Sequence, residues 1–459
     1  MNKLIGDKAF YKRILALMIP IAIQNGITNF VNMLDNVMVG RLGSGPMSGV
    51  SIANQMLMIY NFCLLGVVAG AGIFGAQFVG REDYKNFKSS LRFRLYLSLV
   101  VSVAAATVLL TAGGSLTNLF LKGEGSKAEA DMIFNSAKGY ISVIVFGFLP
   151  YSVSMSYTGA LRETGDTKSP MRASFLAVFV NLILNYLLIF GNLGLPKLGV
   201  KGAALATVIS RFAEMFYLVI KAHFVSRNVY FVGVFKTLKV PLKLGAMITK
   251  KSVPLMFNEM LWGSSFAFLT QSYSLKGLSV VAATNICNTF WEVFGVSFIA
   301  AGVTVSIVVG QQLGAGEHKT AKETAYKMIC FSFFIGVLAG GLYAAAARFI
   351  PLLYNVSGEI RDMAFYLILI EAVLMPFDSL VQACYFAVRS GGKVWLTTVF
   401  DSGFAMLVIV PIAFILARFT SMSIYEIYFL SKGAVIIKCI LGVLLIRSNT
   451  WINTLGKDL

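Results

Sequence analysis

Twelve windows of about 20 predominantly apolar residues follow one another along this 459-residue chain, centred near Thr28, Leu64, Val103, Val145, Leu182, Ile209, Phe266, Phe298, Gly336, Val373, Val408 and Ile436. A helix needs a run of that length to cross a bilayer's hydrocarbon core, so the pattern predicts an all-α polytopic membrane protein with twelve transmembrane helices. Only 13% of the residues are charged, against about 25% in soluble domains. The first window leads straight into the bundle without a cleavable signal pattern and is expected to serve as its own insertion signal.

The net charge of +18 would suit a nucleic-acid binder if the bases formed a patch. Here they sit in the short connections between spans, so no nucleic-acid partner is expected. With the N-terminus inside, 26 Lys and Arg, among them Lys3, Lys8, Lys12, Arg13, Arg81, Lys85, Arg227 and Lys457, fall on the cytoplasmic side. Ten, from Arg41 and Lys122 to Arg418, fall on the other. Positive charge is retained on the cytoplasmic face, which predicts a multi-pass protein of the cytoplasmic (inner) membrane with both termini in the cytoplasm.

The longest basic connection divides the chain into an N-lobe of six spans (1–225), a cytoplasmic inter-lobe linker (226–250) and a C-lobe of six spans (251–459). The halves resemble each other. At an offset of 234, Pro20 meets Pro254, Ile52-Ala53-Asn54 meets Ile286-Cys287-Asn288, Gln77 meets Gln311 and Gly80 meets Gly314. At 226 to 227, Pro150 meets Pro376 and Arg162 meets Arg389. Six spans per repeat make the repeats parallel, as in transporters that bind substrate within or between their halves.

The stretch Pro20 to Arg41 is long enough to span, yet carries Asp35 and a row of amides. At about 100° per residue, Gln24, Asn25, Thr28, Asn29, Asn32, Asp35 and Asn36 fall within roughly 140° of one another. A carboxylate at that depth costs at least about 2.5 kcal/mol, and such acids face a cavity and mark ion or substrate paths. Asn181 and Asn185, four apart on the fifth span, and Thr207 on the sixth are its expected partners. These oxygen donors suit a hard cation such as Na+; the same carboxylate, desolvated, suits a proton.

In the second half Asn258, Glu259, Trp262 and Phe266 share one face of the seventh span, placing an acid along an aromatic wall. Glu371, Asp378 and Gln382 line one face of the tenth, with Pro376 between them free to break the helix. Acid beside aromatic suits an organic cation. Glu292 and Asp401 are two further acids within spans, and Glu214, three residues after Arg211, reads as half of a structural ion pair. Cys63, Cys287, Cys330, Cys384 and Cys439 have no CxxC spacing, so neither a disulfide framework nor a zinc site is indicated. His223 and His318 fall in loops, and phosphate-cradling and nucleophile-elbow motifs are absent. An enzyme is not expected, and neither is a cofactor other than the coupling ion.

Several segments in order resemble the multidrug and toxic compound extrusion (MATE) family, of the multidrug/oligosaccharidyl-lipid/polysaccharide flippase superfamily. They are Pro20 to Gly43, Gly72 to Asp83 (GIFGAQFVGRED), Gly159 to Met171 (GALRETGDTKSPM), Val180 to Gly191, Gly199 to Thr207, Val308 to Gly316 (VVGQQLGAG) and Pro376 to Arg389. The resemblance implies two six-helix lobes around a central cleft. It also implies alternation between outward-open and inward-open states, and export of cationic amphipathic compounds against Na+ or H+. Asp35 matches the family's first-helix coupling acid. Asn185 stands where some members have an acid, Asn181 and Thr207 keep the expected types, and Asp378 matches an acid just after a proline on the tenth helix. One branch has its seventh-helix acid where this chain has Trp262, with Glu259 on a neighbouring position of that face.

The expected coupling set is therefore Asp35, Asn181, Asn185, Thr207, Glu259 and Asp378. The expected substrate set is Gln24, Asn32, Asp35, Asn258, Glu259, Trp262, Phe266, Glu371, Asp378 and Gln382. Organic cations and membrane lipids are the expected partners of a chain acting as a monomer. The alternative within transport is a flippase for a lipid-linked saccharide or other lipid, which often has a basic central cavity, whereas the acids read from these spans outnumber the bases.

Overall fold

The computed structural model describes residues 4–121, 126–225 and 228–456; of the bases used above for topology, Lys3, Lys122, Arg227 and Lys457 lie outside them. The described residues contain no strand. In chain order the long helices are α1 (Lys8–Gly40), α2 (Ser44–Gly80), α3 (Tyr84–Phe120), α4 (Lys127–Glu163), α5 (Lys168–Phe190) and α6 (Val200–Val225). There follow α7 (Leu242–Ser274), α8 (Leu278–Gly314), α9 (His318–Ala346), α10 (Gly358–Ser390), α11 (Val394–Phe419) and α12 (Ile424–Arg447). Eleven are apolar and long enough to cross a membrane. The twelfth, α7, is 33 residues long, its hydropathy lowered by Lys243, Lys250, Lys251 and its polar face. Residues 242–250, read from sequence as linker, are thus the first turns of this helix.

The internal repeat reaches the helix boundaries. Adding 234 to the first residues of α1, α2 and α3 gives those of α7, α8 and α9. The first two of these pairs also match in length, 33 residues for α1 and α7 and 37 for α2 and α8.

The chain forms two compact units, one of Ile23–Gly75 with Tyr84–Ser252, the other of Met1–Ala22, Ala76–Asp83 and Val253–Leu459. The division crosses α1 and α7 within a turn of the repeat-related Pro20 and Pro254.

In the first unit, Val39, Val50, Ala53, Tyr60, Leu64, Ile144, Ile189 and Val208 belong to one apolar core drawn from α1, α2, α4, α5 and α6. The Tyr60 ring stacks on Phe148 at 4.1 Å and its hydroxyl donates to the Phe148 carbonyl at 3.1 Å. Towards the other end of α2, Arg94 donates to Glu163 Oε1 at 2.6 Å with both side chains buried. A methyl group on Gly75 would run into that carboxylate. The connection after α6 packs onto this unit: Phe231 is fully buried, and Arg92 and Tyr96 of α3 donate to the carbonyls of Thr237 and Leu238.

In the second unit, α8, α9 and α10 pack around Cys287, Phe298, Tyr343, Leu367 and Ile368. Pro376 does not end α10, which runs unbroken to Ser390, with Gly336 of α9 close against the proline. The strain of a proline shows instead in α11. There, two π-turns, 399–403 and 405–409, precede Pro411, whose missing N–H breaks the regular ladder.

Residues 449–456 form a strap across this unit. Gln77 donates to the carbonyls of Ser390 and Asn453 and accepts from Leu455 N, and Arg81 donates to the carbonyls of Leu455 and Gly456. Trp451 is fully buried. Gly80 and Gly314 lie against the carbonyls of Gln311 and Gln77 respectively, a reciprocal contact between repeat-related residues. Gly80→Ala is expected to destabilise the protein by about 1–3 kcal/mol, because a rigid carbonyl has to move; an unchanged thermal unfolding temperature in detergent would refute the close packing.

Candidate functional site

In the first unit a cavity of about 430 Å³ is walled by α1, α2, α4, α5 and α6. The polar face of α1 supplies Thr28, Asn32, Asp35 and Asn36; Asn181 comes from α5 and Thr207, Arg211 and Glu214 from α6. Asn185 Nδ2 donates to Asp35 Oδ1 at 2.5 Å and to Asn181 Oδ1 at 3.0 Å. Asn181 Nδ2 donates to Thr207 Oγ1 at 3.3 Å, whose hydroxyl donates to the Ala203 carbonyl. Four side chains from three helices thus form one hydrogen-bonded row ending on a carboxylate. Asn185 Oδ1 is buried and accepts no hydrogen bond among the described residues.

Beside this row, Arg211 pairs with Glu214 at 2.9 Å and lies 4.6 Å from the centre of the Tyr151 ring. That base is therefore matched by its own acid. Asp35 stands in no ion pair among the described residues, although Arg211 acts on its charge from the same wall; of the three charges there it is the one without a partner in contact. A group of this kind, backed by amide and hydroxyl oxygens inside a spanning unit, can hold a monovalent cation or a proton.

Gln24 is a correction. It does not line the cavity: its Nε2 donates to Ser174 Oγ at 2.9 Å and its Oε1 accepts from Arg162 at 2.7 Å. With both ends of the amide taken and the residue buried, it holds α1 to α4 and α5 rather than a substrate. Asn32, in contrast, is an exposed part of the cavity wall.

The second unit holds most of the other expected residues, in networks that periodicity did not reveal. Glu371 is buried, accepts from Tyr428 OH at 2.7 Å and pairs with Lys432 at 2.7 Å. Asp401, within the first π-turn of α11, pairs with Lys438 at 2.8 Å and accepts from Asn258 Nδ2 at 3.4 Å. Asn258 also donates to Tyr385 OH and accepts from Ser402. Glu259 lies 3.9 Å from Arg389. Trp262 and Phe266 meet edge to face at 4.7 Å, and Lys432 lies over the Phe266 ring at 5.9 Å. Asp378 and Gln382 are half-buried on α10.

Two expectations change here. Asn258 is not free to meet a substrate, since both ends of its amide are used inside the unit, and Glu371 is not an open acid but one matched by an ammonium. The expected surplus of acids within the spans is accordingly smaller than the sequence reading had it. Of 39 Lys and Arg, 36 had been assigned to connections; the other three are Arg211, Lys432 and Lys438, each within a span and each paired with an acid. That remainder was the signal in the sequence for the pairs on α12.

A polytopic helical protein with a duplicated architecture and charged cavity walls inside its spans is a membrane transporter and not an enzyme. The chain belongs to the MatE family, which matches residues 20–187 and 254–415, the two halves of the repeat. A probable multidrug resistance protein NorM of Thermotoga maritima is 32% identical over 201 residues, 44% of this chain and 42% of that one. Its namesake in Oceanobacillus iheyensis is 23% identical over 411 residues, 90% of each. Among solved structures, a transporter of the MOP superfamily from Pyrococcus furiosus superposes with a TM-score of 0.87 at 20% identity, over 97% of each chain.

Proposed function

We propose that this chain is a secondary active multidrug exporter of the cytoplasmic membrane, exchanging cationic amphipathic compounds for Na+ or H+ by alternating access. The observation that carries this reading is Asp35: a carboxylate on a spanning helix, facing a cavity, with Asn185, Asn181 and Thr207 behind it and no base in ion-pair contact with it among the described residues. One-for-one exchange of a monovalent ion for a monovalent organic cation moves no net charge, so the ion's concentration gradient drives it, each tenfold gradient storing about 1.4 kcal/mol and supporting about tenfold accumulation. Ion binding at Asp35 favours one access state, and drug release follows from that shift. The names of the NorM relatives agree with a drug-exporting role.

In this reading both termini lie in the cytoplasm, which the excess of Lys and Arg on that side supports, and the protein acts as a monomer. A lipid-linked saccharide flippase would need bases free to meet a pyrophosphate, whereas Arg211, Lys432 and Lys438 are each taken by an acid.

Expression in a bacterial host stripped of its own drug pumps tests the export reading. Steady-state ethidium in energised cells is expected to fall severalfold relative to vector alone. Unchanged accumulation of ethidium and of two further lipophilic cations, with the protein present in the membrane, would contradict it.

A further inference from the structure

The cation-driven exchange proposed above takes the driving ion at Asp35 and leaves open whether a second ion binds in the other unit; the two lysines of α12 bear on that question. Lys432 Nζ lies 2.7 Å from Glu371 Oε1, and Lys438 Nζ lies 2.8 Å from Asp401 Oδ1. Both acids are buried, and each lysine is further held over an aromatic ring: Lys432 over Tyr428 at 5.5 Å and Lys438 over Phe400 at 5.5 Å.

We infer that Lys432 and Lys438 are built-in counter-cations that occupy the places a coupling ion would take in this unit, so that the driving ion binds only at Asp35. A monovalent cation approaching Glu371 or Asp401 meets a covalently tethered ammonium already in contact with the carboxylate. The newcomer has to displace a group held at high effective concentration or sit beside a like charge in a poorly solvated site.

The acids and bases in ion-pair contact around these lysines number three of each. Glu371, Asp401 and Glu259 face Lys432, Lys438 and Arg389. Asp378, half-buried on α10, stands in no ion pair among the described residues but lies within the field of both lysines.

The test is the ion-to-drug stoichiometry in proteoliposomes, with the membrane potential clamped at zero and a tenfold gradient of Na+ or of H+ imposed. Each coupled ion then stores about 1.4 kcal/mol, so one ion supports about tenfold accumulation of ethidium and two support about hundredfold. The wild type is expected to reach about tenfold under one of the gradients, and Lys432→Met, which frees Glu371, to approach hundredfold. Should that variant not fold, Lys432→Met/Glu371→Gln, which removes both charges, is expected to keep tenfold accumulation whatever its rate. Hundredfold accumulation by the wild type, tenfold by a folded Lys432→Met, or loss of coupling in the double variant would each overturn the assignment. No uphill uptake by the wild type under either gradient would instead remove the exchange reading on which the assignment rests.

Discussion

Asp35→Asn is expected to reduce ion-driven transport to the background of empty vesicles while leaving expression and thermal unfolding close to those of the wild type. The asparagine keeps the shape of the side chain and can still accept from Asn185 Nδ2. What it removes is the one charge on the cavity wall without a partner in ion-pair contact. A bond to a charged partner contributes about 1.5–3 kcal/mol, so affinity for the driving ion should fall by about 10- to 150-fold. Asp35→Glu, which restores the charge with a longer stem, should recover part of the activity. Transport at the wild-type rate by Asp35→Asn would show that the row Asp35–Asn185–Asn181–Thr207 only holds helices together.

The largest effect on stability is expected at Arg94. Its guanidinium lies 2.6 Å from Glu163 in a buried pair and also donates to the Ser156 carbonyl. Arg94→Met takes away the base in contact with a carboxylate deep in the unit, and breaking a buried pair in this way costs about 3–5 kcal/mol. A folded domain has only about 5–15 kcal/mol in hand. The variant should therefore elute largely as aggregate in size-exclusion chromatography, with a much lower unfolding temperature for what remains. Arg94→Met/Glu163→Gln should recover most of the loss, since neither charge is then stranded. A single variant as stable as the wild type would mean that the pair is solvated in the membrane-embedded protein.

Both sites were partly legible in the sequence, for a common reason. Helical periodicity places residues on a face of their own helix, so Asp35 and the amides of α1, and the pair Asn181 and Asn185, could be aligned without any structure. The duplication was equally legible, because Pro20 and Pro254 or Gly80 and Gly314 recur at one offset, and the helix boundaries follow it. Periodicity cannot say what the facing helix presents. Gln24 shares the polar face of α1 with Asp35, yet it meets Ser174 and Arg162 rather than the cavity. Asn258 shares a face with Glu259, yet Asp401, Tyr385 and Ser402 take up its amide. Lys432 and Lys438 lie in an apolar run near the end of the chain, where single bases read as interface anchors. Only the packing of α12 against α10 and α11 shows that they neutralise Glu371 and Asp401. The strap at 449–456 left no periodic trace at all, since its grip rests on Gln77, Arg81 and backbone carbonyls.

The central claim is that an ion gradient drives organic cations through this protein by way of Asp35. Uptake of ethidium into inside-out membrane vesicles, with a Na+ gradient and then a proton gradient imposed, tests it most directly. The account predicts uphill uptake under one gradient, collapsing when that gradient is dissipated and absent in Asp35→Asn. Uptake indifferent to both gradients, or driven equally well in Asp35→Asn, would contradict it.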